Sequence, residues 1–268
     1  MRGSARTVLI TGASAGIGSA LARAYAEKGW ALILTARRRL PLEALARELI
    51  RDHGVDVSLI TADLAEPDAV RGLVAEIRTR GLIVDALVNN AGFSRTAGFL
   101  ATDPADHAEM IRVMLTAPVE LSRLLLPEMV ERGFGRILNV ASLAGMMPAT
   151  GGDTLYGPIK SFLIKASAGL HLELAGTGVH VTALCPGYTL TEFHDVNGSR
   201  EQVSSAYPAW MWQTADHVAR VGYEAVEANR VRVIPGAMNN VLAAIPKLLP
   251  DAVALRIIGG HAKRLKRI

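Results

Sequence analysis

Tyr156 and Lys160 stand four positions apart in DTLYGPIK, residues 153–160. On a helix that spacing puts both side chains on one face. A lysine ammonium beside a tyrosine favours the phenolate and lowers the phenol's pKa, which would make Tyr156 a usable proton donor near neutral pH. A single Y-x-x-x-K more often marks an exposed aromatic lying on a lysine stem, so the pair needs companions elsewhere in the chain. Pro158 fits a helix that begins at about Tyr156, because N–H groups of the first turn have no intrahelical partner and a proline there loses little.

A second cluster able to do chemistry is TGASAGIG, residues 11–18. It follows the apolar run TVLIT and opens a helix-period segment. Gly12, Gly16 and Gly18 at such a turn let backbone N–H groups and a helix N-terminus approach a pyrophosphate. The same residues satisfy G-x-S-x-G, the nucleophile elbow of an esterase with Ser14 as nucleophile. Position argues against the elbow: an oxyanion hole needs an upstream loop, and only eleven residues precede Gly12. At the end of the next apolar run, LTARRR places Arg37 and Arg38 where a site selective for NAD would carry an acid; arginine accommodates a 2′-phosphate. The loop therefore points to NADP(H).

The elements that position these residues follow from periodicity. TVLIT (7–11), ALILT (31–35), VDVSLI (55–60), VDALVNN (84–90), GRILNVAS (135–142) and VHVTALC (179–185) read as strands buried on both faces. Amphipathic segments lie between them, two ending at the C-cap candidates Gly54 and Gly81. The alternation predicts an α/β fold, a doubly wound parallel sheet of Rossmann-like type. It reads as a single domain over 1–268, with 187–215 as a substrate loop and 236–268 as a helical tail. The loop carries Phe193, Tyr207, Trp210, Met211 and Trp212, which suits an apolar ketone or aldehyde or a satellite cluster beneath a long loop.

Composition excludes several classes. The chain is 268 residues long, half hydrophobic and 20% charged, enough for one large core. Its one cysteine, Cys185, permits no internal disulfide and fits a reducing, cytoplasmic compartment. The seven histidines show no metal-ligand spacing, so no metal is expected. No signal-peptide core and no apolar run of membrane-spanning length are present. The formal charge is +4, but Lys263, Arg264, Lys266 and Arg267 account for it; without them Lys+Arg is 29 − 4 = 25 against 25 Asp+Glu. A neutral body argues against nucleic acid as a partner. The basic tail leaves two options open, a helix packed on the core or a dimer partner, and a peripheral contact with anionic lipid. Pro246 and Pro250 interrupt a long amphipathic stripe and favour the packed helix.

TGASAGIG (11–18), TADL (61–64), NNAG (89–92), NVAS (139–142), YGPIK (156–160) and PGYT (186–189) occur in this order. Together they resemble the short-chain dehydrogenase/reductase family, over roughly residues 5 to 235. The resemblance implies an NADP(H)-dependent oxidoreductase, a homodimer or homotetramer, that interconverts a carbonyl and an alcohol. Gly12, Ser14, Gly16 and Ile17 would hold the adenosine and pyrophosphate end. Asp63 and Leu64 would meet the adenine, and Asn90, Ala91 and Gly92 the ribose. Tyr156 would be the general acid, Ser142 a hydrogen-bond donor to the carbonyl oxygen, and Lys160 the holder of the nicotinamide ribose. Pro186, Gly187 and Thr189 would cover the nicotinamide.

One position departs from that pattern. The family's catalytic asparagine sits in a context like N-L-T-A-P, and this chain has RVMLTAP at 112–118, with Met114 in its place. A methionine cannot supply an amide's hydrogen bonds. Proline lacks an N–H and displaces the carbonyl four residues earlier, so Pro118 should leave the Met114 carbonyl available to a relay water. The departure also admits a second reading, a dinucleotide sensor or partner-binding protein with weak chemistry or none.

Overall fold

A computed structural model of the chain describes residues 5–94, 97–149, 152–191 and 211–264. Phe193, Tyr207 and Trp210 of the expected substrate loop, and Lys266 and Arg267 of the tail, lie outside the described residues. The strands are β1 (Thr7–Thr11), β2 (Ala31–Thr35), β3 (Val57–Leu59), β4 (Ala86–Asn89), β5 (Gly135–Val140), β6 (Val179–Leu184), β7 (Thr189–Leu190), β8 (Gln213–Thr214) and β9 (Arg232–Val233). Seven of them form one sheet in the order β3-β2-β1-β4-β5-β6-β9, with every neighbouring pair parallel.

The helices are α1 (Gly16–Ala26), α2 (Arg39–His53), α3 (Ala69–Thr79), α4 (Pro104–Ile111), α5 (Ala117–Glu131), α6 (Tyr156–Glu173), α7 (Ala215–Glu227), α8 (Ala237–Leu248) and α9 (Asp251–Arg264). Alternation along each strand feeds a core on each side of the sheet. Val8, Ile10, Leu32 and Leu34 pack with α1, α2 and α7. Leu9, Ile33 and Leu87 face the other way, onto α3, α5 and Ile159 of α6. Burial on both faces explains why these strands are unbroken apolar runs. Gly54 closes α2 in the left-handed conformation, φ 65°, with its N–H on the Ile50 carbonyl.

Two local features escape periodicity. Pro118 gives Met114 no N–H to accept, and between α4 and α5 the chain loosens into a π-turn, Arg112–Thr116, where the Ala117 N–H reaches the Arg112 carbonyl. Farther on, β7 and β8 pair in parallel as a separate two-strand ribbon. No helix among the described residues is long and apolar enough to cross a membrane.

Candidate active site

The order of the sheet reverses between β1 and β4, and in open α/β sheets the crevice beyond the carboxyl ends at that reversal is where ligands bind. Here the glycine loop leaves β1, Asn90 to Gly92 leave β4, Ser142 follows β5 and Pro186 follows β6. The loop is tightly built. Gly12 and Gly16 have φ of 65° and 58°, and a Cβ at Gly18 would stand 2.3 Å from the Gly12 carbonyl oxygen. The Thr11 hydroxyl donates to the Val88 carbonyl at 3.2 Å and accepts the N–H groups of Asn90 and Ala91 at 3.0 and 3.1 Å. Asn90 donates its amide to the Thr11 and Gly12 carbonyls at 2.9 and 3.1 Å. Its side chain therefore clamps the loop to β4. Ser14 and Ile17 are half-buried in the loop and first turn. No side chain caps α1 at Ala15, so the positive end of that helix faces the crevice with its backbone donors.

Arg37 is exposed at the end of β2 and donates to the Glu109 carboxylate at 3.2 Å, with Asp63 3.9 Å away. Asp63 accepts the Ala65 N–H at 3.0 Å. The Leu64 side chain is buried in the core beside α3, which leaves its backbone toward the crevice. An open groove of about 710 Å³ runs along the outer edge of β3, lined by Arg39, Thr61, Asp63, Glu76 and Arg80. It shares Asp63 with the crevice but lies far along the sheet from Tyr156. The unshared helix end, the glycine cradle and the guanidinium groups at β2 together fit a dinucleotide that carries an additional phosphate.

Tyr156 opens α6, and the Ser142 hydroxyl lies near enough to its phenol to lower the phenol's pKa. The Ser142 oxygen also accepts the Ala144 N–H at 3.1 Å. Lys160 is buried one turn on, donating to the Val140 carbonyl at 2.7 Å, with its nitrogen 5.6 Å from the centre of the Tyr156 ring. Burial holds the Lys160 ammonium down to about 8. The expected depression of the phenol is not found. Burial pushes Tyr156 up to about 12, the bond from Ser142 lowers it in part, and Asp153 raises it. The physical reason is that the cost of a desolvated phenolate outweighs an ammonium directed at a carbonyl.

Met114 is fully buried behind this group. Its sulfur accepts the Phe93 N–H at 3.3 Å, and a Cβ at Gly92 would meet that sulfur at 3.2 Å and the Lys160 nitrogen at 3.7 Å. The position of the family asparagine thus meets Gly92 through a thioether, with Lys160 on the far side of Gly92. Beneath it runs a buried polar chain that periodicity did not reveal. Asn89 donates to Asn139 at 2.8 Å, Asn139 to Ser167 at 2.9 Å, and Ser167 to the Leu163 carbonyl at 2.6 Å. Its signal was the pair of asparagines in NNAG and NVAS, polar residues inside otherwise apolar strands.

After β6, the Pro186 carbonyl accepts the Leu143 N–H at 2.8 Å, and a Cβ at Gly187 would press on the Asn239 side chain at 2.6 Å. Thr189 is buried and donates to the Gly187 carbonyl at 3.1 Å. Thr191, on the same face of the strand, is the side chain that a Cβ at Gly16 would meet, at 3.1 Å. Thr191 thus stands over the glycine loop, two residues beyond Thr189, which was expected at the nicotinamide. The Tyr188 and Trp212 rings pack at 5.5 Å across the base of the β7–β8 ribbon.

Comparison with known proteins agrees with this geometry. The model of the short chain dehydrogenase family matches residues 6–202. The chain is 38% identical over 238 residues to a sulfoacetaldehyde reductase of Chromohalobacter salexigens, covering 85% of this chain and 93% of that protein. It is 37% identical over 226 residues to a serine 3-dehydrogenase of Agrobacterium fabrum, covering 81% and 86%. A short-chain dehydrogenase from Sphingobium yanoikuyae, solved in complex with NADPH, superposes with a TM-score of 0.79 at 31% identity, covering 91% and 94%.

Proposed function

The chain belongs to the short chain dehydrogenase family, and from that membership we propose that it reduces an apolar ketone or aldehyde to the alcohol, with Tyr156 as proton donor. It is an oxidoreductase dependent on NADP(H), in keeping with the guanidinium groups at the end of β2 and with the NADPH-bound relative. Gly12, Ser14, Gly16 and Ile17 hold the pyrophosphate against the start of α1, and Arg37 meets the 2′-phosphate. Asp63 and Leu64 border the adenine, Asn90, Ala91 and Gly92 the ribose, and Pro186, Gly187 and Thr189 the nicotinamide. When bound, NADPH supplies the hydride.

The chain's own groups handle the proton and the oxygen. The single observation that carries the reading is the Ser142 hydroxyl beside the Tyr156 phenol, with a buried ammonium one turn behind. A phenol held near 12 is protonated at neutral pH, the form that reduction requires. As negative charge grows on the carbonyl oxygen, Ser142 and Tyr156 both donate to it, and Tyr156 transfers its proton. Lys160 then lies close enough to favour the phenolate left behind. Lys160 is engaged with Val140, and the other charged group that acts on Tyr156, Asp153, is buried. Leu143 follows Ser142 in sequence and Tyr188 follows Gly187, apolar neighbours that suit an apolar substrate over a sulfonate or an amino acid.

Oxidation of NADPH in the presence of apolar ketones and aldehydes, with sulfoacetaldehyde and serine-derived carbonyls alongside, tests the proposal. Turnover of the apolar members, lowered about 10²–10⁴-fold in Tyr156→Phe with NADPH affinity retained, is the expected result. Turnover confined to the charged members would overturn the substrate class. Nucleotide binding with no turnover would favour the second reading, a sensor, which Met114 supports.

A further inference from the structure

We propose that α8, α9 and the basic end that follows them form a docking surface for anionic lipid bilayers. The first observation is an apolar face that the fold leaves open. In α8, Asn239 and Ala243 are buried and turn inward, with Asn239 donating to the Pro235 carbonyl at 2.8 Å. Met238, Val241 and Ile245 recur at helical spacing on the opposite side and are 47%, 53% and 45% exposed. No residue from Ala237 to Pro246 is charged, so nothing on that face opposes entry into an apolar medium. In α9, Ala254 is buried while Val253 and Ile257, four apart, are 45% and 59% exposed. Pro250 divides the stripe between two helices, and both halves are open.

The second observation is charge, and it selects the occupant. Residues 237–268 hold six cations (Lys247, Arg256, Lys263, Arg264, Lys266 and Arg267) and one anion, Asp251, a net of +5. The other 236 residues hold 29 − 6 = 23 cations and 25 − 1 = 24 anions, a net of −1. The whole positive charge of the molecule thus lies in the segment that carries the open apolar stripe. The rest of a second copy carries a net charge of only −1 against the +5 of this segment. A nucleic acid has no use for Met238, Val241 and Ile245. Anionic headgroups over an acyl layer satisfy both halves: the cations draw the tail to the surface, and the stripe enters the headgroup boundary. The segment also adjoins the crevice, because α8 packs on the 3₁₀ turn Leu143–Met146.

The test is flotation of the full chain with vesicles of phosphatidylcholine alone and of phosphatidylcholine mixed with phosphatidylglycerol, over a range of salt. The expected result is flotation with the phosphatidylglycerol vesicles that weakens as salt rises. Neutralising the four terminal cations (K263Q, R264Q, K266Q and R267Q together) should reduce affinity by at least about a hundredfold at low salt. Val241→Glu with Ile257→Glu should abolish flotation, at unchanged circular dichroism and NADPH affinity. Should that pair fail to fold, the cation variant alone decides, since it leaves the apolar stripe unaltered. A wild-type chain that stays with the soluble fraction at low salt, flotation that neither variant changes, or a stripe whose substitution merely dissociates a dimer, would each overturn the proposal.

Discussion

The thioether of Met114 accepts the backbone N–H of Phe93 at 3.3 Å. A side chain unable to donate therefore holds the strand exit beside Gly92, at the position where the family carries an amide. The sulfur satisfies one backbone donor and brings no donor of its own to Lys160.

Met114→Asn should return an amide to the π-turn. The expected outcome is a rise in kcat of up to about tenfold, within what one positioned polar group contributes to proton transfer. It should also cost on the order of 2 kcal/mol of stability, since a buried methionine is replaced by a smaller polar residue. Steady-state NADPH oxidation and urea melting read the two effects. Unchanged turnover would mean that the Met114 backbone already serves the relay.

Arg37→Ser should separate the two nicotinamide cofactors. A charge-assisted bond to phosphate is worth roughly 1.5–3 kcal/mol, so KM for NADPH should rise about tenfold to a hundredfold while that for NADH stays put. Equal losses for both would place the 2′-phosphate elsewhere.

Lys160→Met should abolish turnover and stabilise the protein. The folded pKa of Lys160 is lowered from 10.5 to about 8 by burial, so its charge opposes folding. That cost, on the order of 3 kcal/mol, is complete below about pH 8. It shrinks as pH rises toward 10.5, because unfolding in that window takes up a proton. The variant should therefore exceed the wild type most at neutral pH and converge with it above pH 10.5. Urea melts of both proteins across that range check the sign. A variant that is less stable at neutral pH would show the bond to Val140 outweighing desolvation.

Two glycines should answer in opposite directions. Gly18→Ala drives a Cβ into backbone, 2.3 Å from the Gly12 oxygen, and should cost about 1–3 kcal/mol and weaken NADPH binding at least tenfold. Gly72→Ala in α3 meets nothing within 4 Å and should gain about 0.5–1 kcal/mol. Thermal melts with and without NADPH distinguish them.

How much of this was legible in the sequence follows from which forces act locally. β1 and β2 begin and end where TVLIT and ALILT predict, because burial on both faces writes itself as an apolar run. β3 is shorter than VDVSLI suggests and keeps only Val57–Leu59, since an edge strand needs fewer paired residues. The start of α6 at Tyr156 was readable from Pro158. The loosened turn at Arg112–Thr116 was implicit in Pro118, although the sequence suggested only a released carbonyl. What a local reading missed depends on distant groups. Asn90 is turned onto Thr11 and Gly12 by the packing of β4 on β1. Tyr156 is governed by its burial more than by the lysine on its own helix. Thr191 takes the place over Gly16 because β7 pairs with β8, a contact made across an interval of sequence that carries no periodic signal.

Asn89 and Asn139 are register partners on adjoining strands as well as hydrogen-bonded side chains. The apolar residues of β4 and β5 are nearly interchangeable under a shift of pairing, since both faces of the sheet are covered. The two amides are not. A slip of one residue would send them to opposite faces and break the bond between the two amides inside hydrocarbon. The clasp beneath the catalytic centre thus works as a key for alignment during folding: it makes the one pairing that aligns Ser142 with the Asn90 loop chemically distinct from its neighbours.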